Sequence, residues 1–295
     1  QSGSEQAVTV AATTDAGARP VRAGRRPSVP AWIGTVPFLG YVGVFLLLPT
    51  GIVLYNAFRT PTGGFTAAGL KALGSSAVRT YFVGSIEISG ISAVAGAVLG
   101  AVLAYAVASG NPDGTVRRVY LAGSGVLAQF GGVTLAFAFL VLIGPTGLLL
   151  HAPWYYDFPQ GITLIYVYFQ IPLMVLVFLP AVDGLKLQWR EASESLGASA
   201  WQYWRHVGGP LLLPAFSGAT LLLFANALSA FATIQAWENQ IAYTVPQQIS
   251  TALSSEVGLG NINAADALAL GMVIMVIIVM TGYALLQRRA ARWLR

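Results

Sequence analysis

The residues that could do chemistry in this chain are the few polar side chains that lie inside long apolar stretches. Only 9% of the 295 residues are charged. Polar side chains in such stretches either contact a polar solute or hydrogen-bond neighbouring helices, and the sequence leaves both interpretations open. The candidates are Glu87, Gln129, Gln170, Asn226, Ser229 and Thr233.

Two features of this set are specific. Asn226, Ser229 and Thr233 follow one another at the i, i+3, i+7 spacing of a single helical face. Glu87 is an isolated acid in its apolar run, and a charge at the centre of a bilayer costs ~2.5–3.5 kcal/mol. Glu87 is within about two helical turns of the end of that run, so its carboxylate can reach water. The alternative is that the carboxylate attracts a cationic solute.

Recognisable catalytic arrangements are absent from the sequence. It contains no G-x-x-x-x-G-K-[ST] phosphate loop and no H-E-x-x-H metal motif. It has no cysteine, and its two histidines, His151 and His206, are far apart in the chain. We therefore predict that the chain is not an enzyme and holds no cofactor or metal of its own.

A polar segment, residues 186–209, lies between two apolar runs and is named the elbow here. Its sequence predicts two short helices with a bend between them. Gly197 stands where a left-handed cap would end the first helix. Ser199, with Gln202 three residues later, has the pattern of a capping box that begins the second helix.

The second helix of the elbow carries two tryptophans. Trp201 and Trp204 are at i, i+3 spacing and are expected to share one face. Gly208 and Gly209 are expected to end this helix, and Pro210 then suits the first turn of the next one. The prediction is a bent, rigid, aromatic-rich connection between two hydrophobic segments.

The elbow resembles the EAA loop, E-A-A-x(3)-G-x(12)-P-x(3)-P, which marks the membrane-spanning permease subunits of binding-protein-dependent ABC importers. The residues in register with the motif are Glu191, Ala192, Gly197, Pro210 and Pro214. The residues between them that are similar to the family's usual choices are Ala198, Ser199, Trp201, Gln202 and Val207. The sequence departs from the motif at Ser193, where alanine is usual, and at Gly209, where leucine is usual.

The resemblance implies that the elbow couples the chain to a partner. In this family the short helix of the loop sits in a groove of a cytoplasmic ATPase subunit, which supplies the ATP and Mg²⁺. Trp201, Trp204 and Val207 would then be buried anchors, and Glu191 would offer a charged hydrogen bond. The residues expected to take part in ATPase coupling are Glu191, Ala192, Gly197, Ala198, Ser199, Trp201, Trp204, Val207, Pro210 and Pro214.

The same resemblance implies an assembly. The expected partners are two ATPase subunits, a second permease subunit that is identical or homologous, an extracytoplasmic solute-binding protein and the lipid bilayer, with no nucleic acid. The polar residues named first would then be candidates for the translocation path, with interhelical hydrogen bonding as the alternative.

Composition also predicts a membrane protein, because 56% of the residues are hydrophobic. A bilayer-spanning helix needs ~20 apolar residues. The runs that satisfy this are 32–58, 81–108, 119–143, 161–182, 210–235 and 267–287. The predicted fold is an all-α membrane protein with six transmembrane helices, forming one domain over residues 31–295 after a flexible basic tail at residues 1–30. The elbow lies between the fourth and fifth spans, and Gly96 and Gly100 favour close helix packing on the second.

Lysine and arginine counts predict the orientation. The tail, the 109–118 loop, the elbow and the C-terminal end carry thirteen of these residues, and the opposite loops carry three. Both termini and the elbow are therefore predicted to be cytoplasmic, in a multi-pass protein of a bacterial inner membrane. On this interpretation Arg190 and Arg205 are ordinary positive-inside charges.

The last loop on the opposite side contains a predicted short amphipathic helix. After Pro246, the residues Ile249, Leu253 and Val257 recur at helical spacing, and Gly258 closes the run. This helix is expected either to cap the bundle or to contact an external partner.

The solute class is narrowed by two further resemblances. Residues 130–149 resemble the third-span region of permeases grouped with polyamine, ferric iron, thiamine and phosphonate importers. Leu196 stands where sugar-importing permeases usually have aspartate. A small polar or charged solute is therefore favoured over a sugar. The other alternative, an ion-coupled secondary transporter, would place paired ionisable residues or broken helices at mid-membrane.

Overall fold

The structure, a computed structural model, describes residues 35–59, 64–65, 71, 73–237, 244–254 and 262–293, with the backbone alone at residues 77, 262–264 and 286–293. The predicted tail at residues 1–30 lies outside them. The regular structure of the described part is helical, apart from one isolated bridge between Arg59 and Phe65. The α-helices are α1 (Val36–Val42), α2 (Leu48–Asn56), α3 (Ser76–Ala108), α4 (Thr115–Gln129), α5 (Gly132–Ile143), α6 (Gln160–Asp183), α7 (Leu187–Ser195), α8 (Ala200–Tyr203), α9 (Gly209–Ser229), α10 (Phe231–Trp237), α11 (Val245–Ser254) and α12 (Ile262–Trp293). Short non-α turns are the π-helical segments Gly43–Leu47 and Trp204–Gly208 and the 3₁₀ segment Pro153–Tyr156.

The chain divides into two compact units, residues up to Pro49 and residues from Thr50 onward. In the first unit, Pro37 lies in the first turn of α1, where the missing N–H leaves no helical bond unmade. The rings of Tyr41 and Phe45 lie 4.8 Å apart on its exposed surface. The remaining elements belong to the second unit.

The described helices include five that are long and apolar enough to cross a membrane. These are Val36–Asn56, Val78–Ala108, Gln160–Asp183, Ala200–Ser229 and Ala265–Leu285. The bent pair formed by α4 and α5 makes a sixth if it is counted as one span. The predicted all-α membrane fold is confirmed.

The third predicted span, 119–143, contains a sharp break. Helices α4 and α5 are bent by 100° relative to one another. Phe130 leaves the helical region with φ −80° and ψ 81°, and Gly132 adopts φ +72°, which is accessible chiefly to glycine. The apolar composition of the run continues through the break, so hydropathy alone did not reveal it.

The fifth predicted span, 210–235, starts next to the beginning of α9, at Gly209, but it is interrupted at Ala230. The helical stretch begins at Ala200 and includes Gly208 and Gly209, which were expected to end a helix. It ends at Ser229, because Ala230 has a non-helical ψ of 75°, and α10 then begins at Phe231. The predicted single face of Asn226, Ser229 and Thr233 is therefore not formed.

Helices α3 and α6 pack closely where α3 carries small residues. A Cβ atom at Gly96 would lie 2.7 Å from Gln170 Cβ. A Cβ atom at Gly100 would lie 2.5 Å from Met174 Cβ and 2.8 Å from the carbonyl oxygen of Ile171. The predicted close packing at these two glycines is confirmed, and it sets the separation of the two central helices.

Two clusters of buried side chains surround this contact. The cluster nearer the N-terminal end of α6 includes Tyr155, Ile162 and Tyr166 and joins α5, α6 and α10. The cluster nearer its C-terminal end includes Met174, Phe178 and Leu223 and joins α3, α6 and α9. The elbow follows the C-terminal end of α6, so it is attached to the second cluster.

The predicted amphipathic helix after Pro246 is present as α11. Its first residue, Val245, is buried and donates its N–H to Ser85 Oγ on α3 at 2.9 Å. Leu253, which was expected on the apolar face, is 60% exposed, and Val257 and Gly258 lie outside the described residues. Helix α11 packs against α12 and the N-terminal part of α3, as the capping alternative requires.

Candidate functional site: the elbow and the helix breaks

The first helix of the elbow, α7, has a mostly exposed surface held by local hydrogen bonds. Arg190 Nε donates to Glu194 Oε1 at 2.9 Å, one turn apart. This hydrogen bond raises the pKa of the Arg190 guanidinium above its usual range. Leu196 caps the helix, and Gly197 follows with φ +79°, as predicted for a left-handed cap. The turn at Gly197 redirects the chain into the second helix.

The second helix of the elbow begins with the predicted capping box. Ser199 Oγ accepts the N–H of Gln202 at 3.3 Å, and Gln202 Oε1 accepts the N–H of Ser199 at 2.7 Å. The helix then passes through the π-helical segment Trp204–Gly208 directly into α9. The second elbow helix and the following membrane span are therefore one helical stretch from Ala200 to Ser229.

Gly208 and Gly209 make room for Trp204 instead of ending the helix. A Cβ atom at Gly208 would lie 2.9 Å from Trp204 Cε3. Gly209 donates its N–H to the carbonyl of Trp204, which closes the π-helical turn. Pro210 has no N–H to donate. It follows a π-helical turn, in which the backbone hydrogen bonds have shifted from the i→i+4 to the i→i+5 pattern.

Trp204 contacts aromatic side chains elsewhere in the chain. Its ring lies 5.2 Å from the ring of Tyr105, near the end of α3, in an edge-to-face arrangement. It also lies 5.7 Å from the ring of Tyr203, which is buried. Because Trp204 is half-buried, its role as an anchor for a partner stays a prediction. The sequence did not predict that Tyr105 and Tyr203 pack against Trp204. The aromatic run Trp201–Trp204 was the one signal for Tyr203.

Other coupling candidates form an exposed surface. Trp201 is 71% exposed and Leu196 is 88% exposed, and Leu187 on α7 is 66% exposed. Glu191 is exposed on the adjacent helix. Ala192, Gly197, Ser199 and Pro210 are also exposed, whereas Ala198, Val207 and Pro214 are half-buried. The elbow thus offers a surface with exposed apolar side chains and a carboxylate.

An ion pair holds the base of the elbow. Arg117, at the start of α4, forms two hydrogen bonds with Asp183, the last residue of α6. The Arg117 Nη1 to Asp183 Oδ1 distance is 3.2 Å. Because Asp183 lies three residues before Lys186, this pair connects α4 to the point where the elbow begins.

The two helix breaks meet one another. The N–H of Gly132, at the α4–α5 break, donates to Thr233 Oγ1 on α10 at 3.0 Å. The carbonyl of Ala230, at the α9–α10 break, accepts from Tyr166 Oη at 2.5 Å. These bonds satisfy backbone groups that the breaks release from their helices. Thr233 is 2% exposed, so the structure shows it in an interhelical hydrogen bond.

The remaining polar candidates are dispersed. Gln170 is fully buried, and its Nε2 donates to Ser92 Oγ on α3 at 2.9 Å. This is the interhelical hydrogen bonding that was the alternative to a place in the translocation path. Gln129 and Ser229 are exposed beside the two breaks, and Asn226 is half-buried one turn before Ser229. The structure therefore does not bring these six polar residues together as one group.

Glu87 is exposed on the face of α3 that points away from α6. Its neighbours on this face are apolar and about half exposed: Val83 at 51%, Ile86 at 46% and Ile91 at 48%. On the opposite face, Ile88 and Ser89 are buried beside Tyr166 and Ala230 and line a small internal cavity with them. Glu87 is thus on the stretch of α3 that packs against the α9–α10 break.

Within the described residues, no group of three or more His, Cys, Asp or Glu side chains could hold a metal ion. The acidic residues with described side chains are either in the elbow and its adjoining loops or isolated, as Glu87 is.

Sequence comparison finds permease subunits. No family model matches the chain. It is 27% identical over 199 residues to the "Probable sulfate transport system permease protein cysT" of Marchantia polymorpha, covering 66% of this chain and 67% of that one. It is 24% identical over 214 residues to the trehalose transport system permease protein SugB of Mycobacterium tuberculosis (strain CDC 1551 / Oshkosh), covering 70% and 72%. It is 29% identical over 75 residues to the thiamine transport system permease protein ThiP of Escherichia coli (strain K12), covering 25% and 14%.

Comparison with solved structures establishes the fold. A bacterial ABC transporter involved in import of the acidic polysaccharide alginate matches with a TM-score of 0.67 and 17% identity, over 88% of this chain and 94% of that one. An inward-facing MetNI methionine ABC transporter matches with a TM-score of 0.55 and 16% identity, over 73% and 99%. The chain has the fold of ABC importer permeases. Its sequence relatives are permease subunits and not enzymes, which confirms the prediction of a transport subunit.

Proposed function

We propose that this chain is the membrane-spanning permease subunit of a binding-protein-dependent ABC importer and that the elbow couples it to a separate ATPase. The observation that carries the proposal is the exposed apolar surface of the elbow. Leu196 and Trp201 are the two most exposed large apolar residues of the elbow. Side chains this exposed are available to a partner that binds the elbow, where a tryptophan would contribute much of the interface energy.

The elbow is built to transmit a displacement. The stretch Ala200–Ser229 spans about 45 Å at 1.5 Å per residue and includes both the second elbow helix and a membrane span. Trp204 ties the same helix to Tyr105 on α3. A movement of the ATPase against Trp201 would therefore tilt α9 directly and pull on α3. Coupling between two sites requires contacts that differ between the two states of the protein, and the contacts of Trp201 and Trp204 would differ in this way.

The proposed assembly follows from this role. Two ATPase subunits bind the elbows of two permeases, the second of which is identical to this chain or homologous. An extracytoplasmic solute-binding protein delivers the solute on the opposite face. The elbow and both termini are cytoplasmic, which the lysine and arginine distribution supports.

Glu87 supports a cationic solute. A lipid-facing carboxylate is unfavourable, by ~2.5–3.5 kcal/mol at the bilayer centre and less towards its surface, and we assign the exposed face of α3 that carries Glu87 to the wall of a path between two permeases. Such a path favours a cation, as in the thiamine and polyamine classes, over sulfate or a neutral sugar. The similarity to the trehalose permease SugB keeps a sugar as the second candidate.

Replacing Glu87 by glutamine should abolish most uptake of a cationic solute while the chain still binds its ATPase. The change removes one charge at nearly constant volume, and loss of a charged contact of about 2 kcal/mol corresponds to about a thirtyfold lower uptake rate at low solute concentration. The measurement is uptake of radiolabelled thiamine and spermidine by cells that express the importer.

The matched control is Asp157→Asn, which removes the same charge from an exposed position before α6, outside the elbow, and should leave uptake unchanged. Uptake by the Glu87→Gln variant equal to that of the unmodified protein would show that Glu87 simply reaches water. Uptake of sulfate or trehalose that is insensitive to the change would move the solute class away from cations.

An ion-coupled secondary transporter is the rival function. The helix breaks at Phe130–Gly131 and Ala230 fit that alternative as well as a permease. The similarity to three permease subunits and the exposed elbow favour the importer.

The test is reconstitution. The chain is co-expressed with a candidate P-loop ATPase, and the purified complex is inserted into liposomes with a candidate solute-binding protein. We expect ATP hydrolysis that rises when thiamine, spermidine, sulfate or trehalose loads the binding protein. Uptake driven by a proton or sodium gradient without ATP would contradict the proposal.

A further inference from the structure

A cleft of about 190 Å³ lies between the elbow and the ends of two membrane spans. Its walls are the last turn of α3, the end of α6 and the beginning of both elbow helices. The aromatic side chains that line it are Tyr105, Tyr203 and Trp204. Tyrosine and tryptophan at the ends of spans characteristically lie at the headgroup level of a bilayer.

The cleft combines this aromatic wall with positive charge. Lys186 and Arg190 line it together with apolar residues such as Val182 and Leu185. Arg190 is paired with Glu194. Lys186 lies 5.9 Å from the ring of Trp189, and the described residues place no carboxylate within ion-pair distance of it. The cleft therefore offers one unneutralised cation above an apolar floor.

We infer that this cleft binds an anionic phospholipid of the leaflet that faces the elbow. Lys186 would contact the headgroup phosphate, with Arg190 beside it, and an acyl chain would lie along Val182, Leu185 and the ring of Trp204. Basic pockets between span ends are the sites that select anionic headgroups. Because the cleft opens where two spans end, a lipid reaches it without leaving the membrane.

A lipid fits the cleft better than the ATPase does. The residues proposed to contact the ATPase, Glu191, Leu196 and Trp201, do not line it. The residues that line it instead join the elbow to the helix bundle, and they include Trp204 and Tyr105, whose rings are in contact. An occupied cleft would thus stiffen the joint through which the elbow acts on α3. This consequence rests on the proposed function, whereas lipid binding itself does not.

The experiment is native mass spectrometry of the purified full-length chain in detergent, titrated with phosphatidylglycerol and phosphatidylcholine that have the same acyl chains. We expect tighter retention of phosphatidylglycerol. Lys186→Gln should weaken that retention about fivefold, the effect of one charge at a membrane surface. Ala108→Phe, which fills the cleft without changing charge, should weaken it at least as much.

Arg205→Gln is the matched control, because Arg205 is exposed on the elbow and does not line the cleft. It should retain phosphatidylglycerol as the unmodified chain does. Equal losses in the Lys186 and Arg205 variants would overturn the inference in favour of diffuse electrostatics.

Three other results would also overturn it. Equal retention of phosphatidylcholine would remove the preference for an anionic lipid. Displacement by millimolar inorganic phosphate would assign the cleft to a free anion, and loss of the lipid on adding the co-purified ATPase would assign it to a protein contact. Because the readout is lipid retention, a failure of the importer function leaves this result interpretable.

Discussion

Replacing Trp201 by alanine should weaken the binding of the ATPase subunit by about thirtyfold or more, since truncating a central interface tryptophan costs about 2 kcal/mol or more. The ring is 71% exposed, so it has few contacts within the chain to lose. The fold should therefore survive. The measurement is the dissociation constant of the detergent-solubilised chain for its ATPase, by microscale thermophoresis.

Trp154→Ala is the matched control for this prediction. Trp154 is 38% exposed in the 3₁₀ segment before α6, at the opposite end of that helix from the elbow. It should leave ATPase binding unchanged. Trp204→Ala makes a useful contrast, because removing its contact with Tyr105 should lower thermal stability as well as coupling. An unchanged dissociation constant for the Trp201 variant would remove this side chain from the interface.

Replacing Gly100 by leucine should prevent most of the expressed molecules from folding. A Cβ at this position would lie 2.5 Å from Met174 Cβ and 2.8 Å from a backbone oxygen of α6, so the helices themselves must separate. Overpacking of a core costs about 1–3 kcal/mol, and the upper end applies here because backbone cannot yield as a side chain does. The yield of monodisperse protein in size-exclusion chromatography measures the loss.

Gly90→Leu controls for glycine replacement on the same helix. A Cβ at Gly90 would meet nothing within 4 Å. Its yield should match that of the unmodified chain. If the Gly100 variant were recovered in the same amount, the close contact of α3 with α6 would not determine stability.

The features that the sequence predicted well are local ones. The capping box of Ser199 and Gln202 and the left-handed turn at Gly197 depend on residues within four positions of one another. The close packing at Gly96 and Gly100 was also predictable, because small residues at i, i+4 spacing have few other uses in a membrane span.

The features that the sequence did not predict depend on contacts between distant segments. Trp204 has the same local pattern as Trp201, but its ring packs against Tyr105 and is half-buried, whereas Trp201 is exposed. Gly208 and Gly209 have the pattern of a helix end, but the Trp204 ring occupies the space that a Cβ at Gly208 would need. The local sequence pattern could not distinguish a glycine that ends a helix from one that lets another side chain pack closely against the helix.

The two helix breaks show the same limit. The Gly131–Gly132 pair was a local signal for the first break, yet the apolar run continued through it. The second break, at Ala230, has no glycine or proline to mark it. It is stabilised by the hydroxyl of Tyr166, 64 residues away in the chain.

Site-specific cross-linking of the elbow tests the central claim most directly. The chain has no cysteine, so Leu196→Cys introduces a single reactive thiol at a side chain that is 88% exposed. In membranes that contain the whole importer, a short bifunctional reagent should join this thiol to the ATPase subunit. Leu148→Cys, 78% exposed in the segment between α5 and α6, should not be joined to it. A product with the ATPase from the Leu148 variant and none from the Leu196 variant would contradict the account.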